Sequence, residues 1–245
     1  MSTYVLIHGS WHGAWCWERV IPRLEAAGHR VVAPDLPGHG DNPAPLSAIT
    51  LESLVAAVVE ALEAEPDPAI LVGHSFGGVM ISRAAELRPE KVSLLVYVAA
   101  FLPRNGQSLF EIIRSNDSDR SGNLVYPNLV IDEAAGSVTV RDEVLREAFF
   151  HDCPDEDARW AIARLVPEAL APRRAPVSLS AERFGRLPRV YIETLQDRAN
   201  PASLQRAMVA ATPCEQVVSM DTGHSPFYAA PDELADHLLA PARGR

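Results

Sequence analysis

The stretch Ala69-Ile70-Leu71-Val72-Gly73-His74-Ser75-Phe76-Gly77-Gly78-Val79-Met80 decides the fold of this chain. Four apolar residues lead into a G-x-S-x-G turn at Gly73, Ser75 and Gly77, and a helix-compatible segment opens at Phe76. A strand that turns sharply into a helix strains its central residue, and side chains two places before and after it would collide. The pattern reads as a nucleophile elbow. It lifts the Ser75 hydroxyl to the end of a sheet and sets the Phe76 amide at a helix start, facing any developing oxyanion. An ordinary Gly-rich turn could carry the same letters; the apolar strand before it favours the chemical reading.

Working outward, 245 residues suffice for one domain with an inserted subdomain. Hydrophobic residues at 47% and charged residues at 22% exclude a disordered chain, and 20 prolines imply many ordered turns. The formal charge of -10 argues against a nucleic-acid or other polyanion partner. No apolar run approaches a membrane span, and no basic region precedes the one starting at Tyr4, so a soluble, cytoplasmic protein is expected. Cys16, Cys153 and Cys214 lack paired spacing and read as reduced core thiols.

The segments before and after the elbow alternate. Tyr4 to Ile7 predicts a strand, Trp17 to Ala27 a helix stopped by Gly28, and His29 to Ala33 a second strand. Leu51, Leu54, Val55, Val58, Val59 and Leu62 share one helical face, and Val92 to Ala100 reads as a strand buried on both sides. Such alternation predicts an α/β fold with a doubly wound, mostly parallel sheet, whose ligands sit at the carboxyl ends of the strands.

Over residues 101–186 the rhythm breaks. Ser115 to Asn123 reads as a polar loop, Leu129 to Ile131 and Val138 to Val140 as a hairpin, and Arg141 to Phe150 and Pro154 to Leu170 as helices. This stretch is expected to form a cap on a core of residues 1–100 and 187–245. Phe149, Phe150 and Trp160 could line a pocket or pack the cap down. The acids Asp152, Asp155, Glu156 and Asp157 beside Pro154 fit helix capping better than a metal site. Arg189 to Glu193 and Gln216 to Met220 are the last strands, and Pro231 opens a final helix.

An activated serine needs a base within reach and a third group that fixes the base's tautomer. His224 lies in the loop after the last strand, at the edge where Ser75 emerges, and is preferred to His8, His12, His29, His39, His151 and His237. His74 neighbours the nucleophile, but the strained turn should aim its side chain elsewhere. Asp197 follows the preceding strand and is the favoured orienting acid; Asp221, in the base's own loop, is its rival. The first strand's loop, His8-Gly9-Ser10-Trp11, should supply a second oxyanion donor in the Ser10 amide, paired with that of Phe76. Trp11, Phe149, Trp160 and Ser225 are candidate substrate contacts. No metal and no cofactor are expected.

Together, H-G-S-W-H-G-A-W from His8, P-D-L-P-G-H-G from Pro34, G-H-S-F-G-G from Gly73 and T-G-H-S-P-F from Thr222 resemble the α/β-hydrolase superfamily. They look most like its group of plant methyl-ester esterases, hydroxynitrile lyases and small bacterial esterases. The resemblance implies an α/β-hydrolase fold with a cap and a cofactor-free serine esterase acting on a small-molecule ester or lactone. Similar lyases carry Thr in place of Gly9 and, in place of Ser225, a Lys whose charge stabilises cyanide, so lyase chemistry is disfavoured. Ser75 likewise argues against haloalkane dehalogenases, which use Asp. A tailoring enzyme for cyclisation, lactonisation or elimination, and a ligand receptor with weak turnover, remain alternatives. The cap loops carry no readable code for the acyl and alcohol groups.

Overall fold

The computed structural model describes residues 1–115 and 122–241. The loop expected over 115–123 therefore falls mostly outside the described residues. The chain opens with β1 (Thr3–Ile7), passes a 3-10 turn at Ala14–Trp17 and enters α1 (Ile21–Ala26). Pro22 lies in the first turn of α1, where its missing N–H is tolerated, and the helix starts four residues later than apolar spacing predicts. β2 (Arg30–Val32) and α2 (Leu51–Glu63) follow. A reciprocal pair of bonds between Thr50 and Ser53 caps α2, and its buried Leu51, Leu54, Val55, Val58 and Leu62 form the predicted apolar face. The elbow joins β3 (Ala69–His74) to α3 (Gly77–Leu87), and β4 (Val92–Val98) comes next.

Between β4 and the next core strand lie α4 (Leu109–Arg114), β5 (Leu129–Asp132), β6 (Ser137–Val140), α5 (Asp142–Phe149), α6 (Asp155–Ile162), β7 (Glu168–Ala169) and α7 (Ala171–Arg174). The expected hairpin is β5 and β6, but Pro154 to Leu170 do not form one helix. α6 ends at Ile162, and Pro167 bars helix beyond it by removing a donor and disfavouring helical backbone at the preceding residue. Glu168 and Ala169 pair antiparallel with Val138 and Ser137 instead, making a three-stranded sheet.

β8 (Arg189–Thr194), α8 (Ala202–Ala211), β9 (Gln216–Met220), α9 (Pro226–Ala229) and α10 (Pro231–Leu239) complete the chain. The main sheet runs in the order β2-β1-β3-β4-β8-β9 with every pairing parallel. Alternate residues of β1 feed opposite faces: Val5 and Ile7 join the apolar cluster of α2 and α3, while Tyr4 and Leu6 join that of α1, α5 and α10. All six strands point the same way, so the loops after β1, β3, β4, β8 and β9 meet at one edge.

Among the described residues, no helix is long and apolar enough to cross a membrane. Cys16 and Cys153 are buried and Cys214 half-buried, all as free thiols.

Candidate active site

Three non-glycine residues among those described have positive φ, and all three lie in the loops at that edge: Trp11 (61°) after β1, Ser75 (52°) after β3 and Ala99 (47°) after β4. Each such conformation costs on the order of 1–3 kcal/mol and persists only where its surroundings enforce it. At Ser75 the enforcement is visible. Its N–H donates to Val98 O at 3.3 Å, and its carbonyl accepts from Phe101 N at 2.9 Å and Gly78 N at 3.1 Å. A Cβ at Gly73 would lie 2.9 Å from Gly77 backbone atoms, so the turn closes only with glycine there.

His224 follows β9. Its Nδ1 lies 2.8 Å from Asp197 Oδ2, with His224 2% and Asp197 5% exposed. An ionised carboxylate only accepts, so Nδ1 carries the proton and Nε2 is left as an acceptor. Asp197 is itself held from four directions. Its Oδ1 accepts from the amides of Ala199 (2.8 Å) and Asn200 (2.7 Å), and its Oδ2 from Thr194 Oγ1 (3.0 Å) and Gln205 Nε2 (3.4 Å). Asp221 is exposed and accepts from Gln196 Nε2 at 2.8 Å.

Three histidines set aside in the sequence support these loops. Leu36 N donates to His8 Nε2 at 3.1 Å, which places the His8 proton on Nδ1, 2.9 Å from Gly9 O. The Gly9–Ser10 peptide is trans, so anchoring its carbonyl directs the Ser10 N–H to the opposite side. His12 Nδ1 donates to Ser10 O at 2.7 Å, and His74 Nε2 donates to His224 O at 2.8 Å. Burial is the main cause that holds all three imidazoles neutral: His8 and His74 lie well below the usual histidine range and His12 at about 3. No local pattern marks them: Gly9 O and Ser10 O are near in sequence, but the loop conformation turns the rings onto them, and the His8–Leu36 and His74–His224 bonds form only in the fold.

The segment between β4 and β8 reaches the same loops. Trp11 donates its indole N–H to Val138 O (2.9 Å) and accepts at its carbonyl from Val166 N (3.0 Å). It lines a cavity of about 440 Å³ with Val140, Leu145, Ile162, Leu165 and Pro167. Phe149 stands 5.7 Å from both Trp11 and His224, ring to ring. Trp160 lies instead with Trp15 (5.6 Å) and Tyr228 (6.4 Å). Ser225 is fully buried, and its Oγ has no hydrogen-bond partner.

The acidic cluster divides. Asp155 pairs with Arg146 and Asp157 with Arg19 in the first turn of α6, whereas Asp152 caps nothing there and accepts from Gly223 N at 2.6 Å. A sequence reading assigns Asp152 to its neighbour α6 because its partner lies 71 residues away. Among the described residues no group of three or more His, Cys, Asp or Glu could hold a metal ion.

A Cβ at Gly9 would lie 2.6 Å from Ser75 Cβ and 3.0 Å from His74 Nδ1. Gly9→Ala is therefore expected to destabilise the protein by about 1–3 kcal/mol, the usual range for overpacking, and to lower turnover by displacing Ser75. Urea titration and initial rates of the same preparation check both effects.

Residues 4–237 match the profile of the alpha/beta hydrolase family. The chain belongs to that family. It is 34% identical over 257 residues to Methylesterase 9 of Arabidopsis thaliana, covering 98% of this chain and 97% of that one. It is also 35% identical over 248 residues to the putative chloroplastic methylesterase 11 of the same plant, spanning 64% of that protein's length and 98% of its own. The crystal structure of polyneuridine aldehyde esterase superposes with a TM-score of 0.89 at 28% identity, covering 99% of both chains. Among hydrolase-family chains, then, this one follows the esterase-named relatives over almost its full length.

Proposed function

We propose that the protein hydrolyses a small, largely apolar carboxylic ester or lactone through an acyl-enzyme on Ser75. The observation that carries this reading is the His224–Asp197 bond of 2.8 Å at the strand edge where the elbow presents Ser75. His224 Nε2 accepts the Ser75 proton as Oγ attacks the ester carbon, and ionised Asp197 stabilises the resulting imidazolium. The Ser10 and Phe76 amides hold the oxyanion. As the tetrahedral intermediate collapses, the C–O bond to the alcohol breaks and His224 returns the proton to the leaving oxygen. Water, deprotonated by His224, then attacks the acyl carbon and releases the acid, restoring the Ser75 hydroxyl.

In this reading residues 101–186 are a cap, and Phe149, Trp11 and Ser225 face the substrate while Trp160 braces the cap from further out. The cavity beside Trp11, apolar but for Thr139 and Asp142, supports an apolar substrate group. The names of the methylesterase relatives support a methyl ester as the first substrate to try. Lyase chemistry is disfavoured on two grounds: Ser225 brings no cation, and any Cβ at position 9 crowds Ser75.

A fluorophosphonate is expected to add its mass to the wild type and not to Ser75→Ala. An unlabelled wild type, or equal labelling of both, overturns the serine mechanism. Turnover of a methyl ester in ¹⁸O-labelled water should place one label in the released acid, which separates hydrolysis from cyclisation and from binding without turnover.

A further inference from the structure

We propose that Arg173 is a positioning residue for the oxyanion-holding loop, which it fixes through the Ser10 hydroxyl. The inference rests on the reading that the Ser10 amide stabilises the oxyanion. Arg173 and Glu168 are each 1% exposed and form a buried ion pair between α7 and β7. Arg173 Nη1 contacts Glu168 Oε2 and also donates to Ser10 Oγ at 2.8 Å. Its guanidinium carbon lies 4.7 Å from the centre of the Trp11 ring and 5.7 Å from that of Phe76; with the Ser10 contact, it stands beside both residues assigned to the oxyanion hole.

Stability alone gives no reason for this pair. Arg173 Nε and Glu168 Oε1 are both buried without a partner, and a half-satisfied buried ion pair is commonly no better than apolar side chains of the same volume. The planar fork of arginine, by contrast, suits a fixed geometry. The loop it holds needs fixing, because Trp11 sits at positive φ immediately after Ser10. His8 anchors the Gly9 carbonyl, His12 the Ser10 carbonyl and Val166 the Trp11 carbonyl; Arg173 anchors the Ser10 side chain. The small sheet of β5, β6 and β7 thereby sets the height of the Ser10 amide above Ser75.

Ser10→Ala removes the acceptor while keeping both the peptide and the ion pair, so it tests the contact without exposing Glu168. With p-nitrophenyl acetate it is expected to lower kcat about ten- to a hundredfold, less than or equal to the loss of an oxyanion donor, at a KM within about twofold of wild type. Arg173→Met should give a similar fall, Arg173→Lys should recover part of it, and Ser10→Ala/Arg173→Met should be no worse than Arg173→Met alone. If Ser10→Ala turns over like the wild type while fluorophosphonate still labels Ser75, the positioning role is overturned and the serine mechanism stands. Additive losses in the double variant overturn it equally, leaving Arg173 a structural residue. A wild type that resists the label removes the mechanism itself.

Discussion

Asp197→Asn is expected to lower kcat about ten-thousandfold with little change in fold or KM. The size of the effect follows from where the asparagine must put its two different atoms. The Oδ1 position faces the amides of Ala199 and Asn200, which can only donate, so the carbonyl oxygen of asparagine has to stay there. Its NH₂ then takes the Oδ2 position, 2.8 Å from His224 Nδ1. Thr194 adapts by rotating its hydroxyl, but the imidazole can adapt only by accepting at Nδ1 and moving its proton to Nε2. In that tautomer Nε2 cannot receive the proton of Ser75. Steady-state rates on a chromogenic ester measure the loss, and ¹⁵N shifts of His224 report the tautomer. A fall of less than about tenfold would place the orienting group elsewhere, and Asp221→Asn, expected to behave like the wild type, is the control.

The second large effect is acid unfolding. His8, His12 and His74 are at most 1% exposed, and burial is the main reason each resists protonation. Two of these rings also crowd each other and His224: His12 lies 5.8 Å from His74, and His74 lies 4.6 Å from His224. An unfolded chain protonates its histidines near pH 6.5. Above that pH neither state takes up protons at these sites and their stability contribution is complete. Below it the unfolded chain binds protons that the folded chain refuses, so stability falls by about 1.4 kcal/mol per pH unit for each such group. For His12, held at about 3, the loss runs from pH 6.5 down to that value and reaches about 3 kcal/mol by pH 4.5. His8 and His74 act in the same direction, against a total stability of about 5–15 kcal/mol for an ordinary domain. Urea midpoints are expected to hold from pH 7.5 to about 6.5 and to drop steeply from there to pH 5. His12→Asn, whose side-chain amide can still donate to the Ser10 carbonyl, should flatten that slope. A midpoint independent of pH across the interval would contradict the burial of these rings.

Much of the architecture is legible in the sequence because it rests on local signals. The apolar run before Gly73 and the single face of α2 are periodic, and a parallel sheet turns strand order into a shared edge. His224 and Asp197 stand out by following strands. What escapes a sequence reading is held by side-chain contacts that only the folded backbone sets up, whether the partner is near in the chain, as for His12, or far, as for His74 and Asp152. His8, His12 and His74 carry no pattern that separates a scaffold histidine from an idle one. Asp152 sits next to a helix it does not cap, and Glu168 falls within the helix expected over Pro154 to Leu170, although α6 stops at Ile162 and Glu168 lies in β7. Thr194 is only three residues from Asp197, but Gln205 reaches Asp197 only once α8 packs against β8.

The hold of the segment between β4 and β8 on Trp11 and Gly223 ties the shape of the cavity to two loops of the strand edge in inheritance. Under the proposed function, exchanging residues 101–186 between relatives would replace the wall against the substrate and, in the same stroke, the struts of two loops that surround the elbow. Recombination at those borders succeeds when the incoming segment brings a carboxylate at the place of Asp152 and a backbone that meets Trp11 as Val138 and Val166 do. Under the same reading, Leu145, Ile162 and Leu165, which line the cavity and hold neither loop, are the positions at which new specificities can accumulate one substitution at a time.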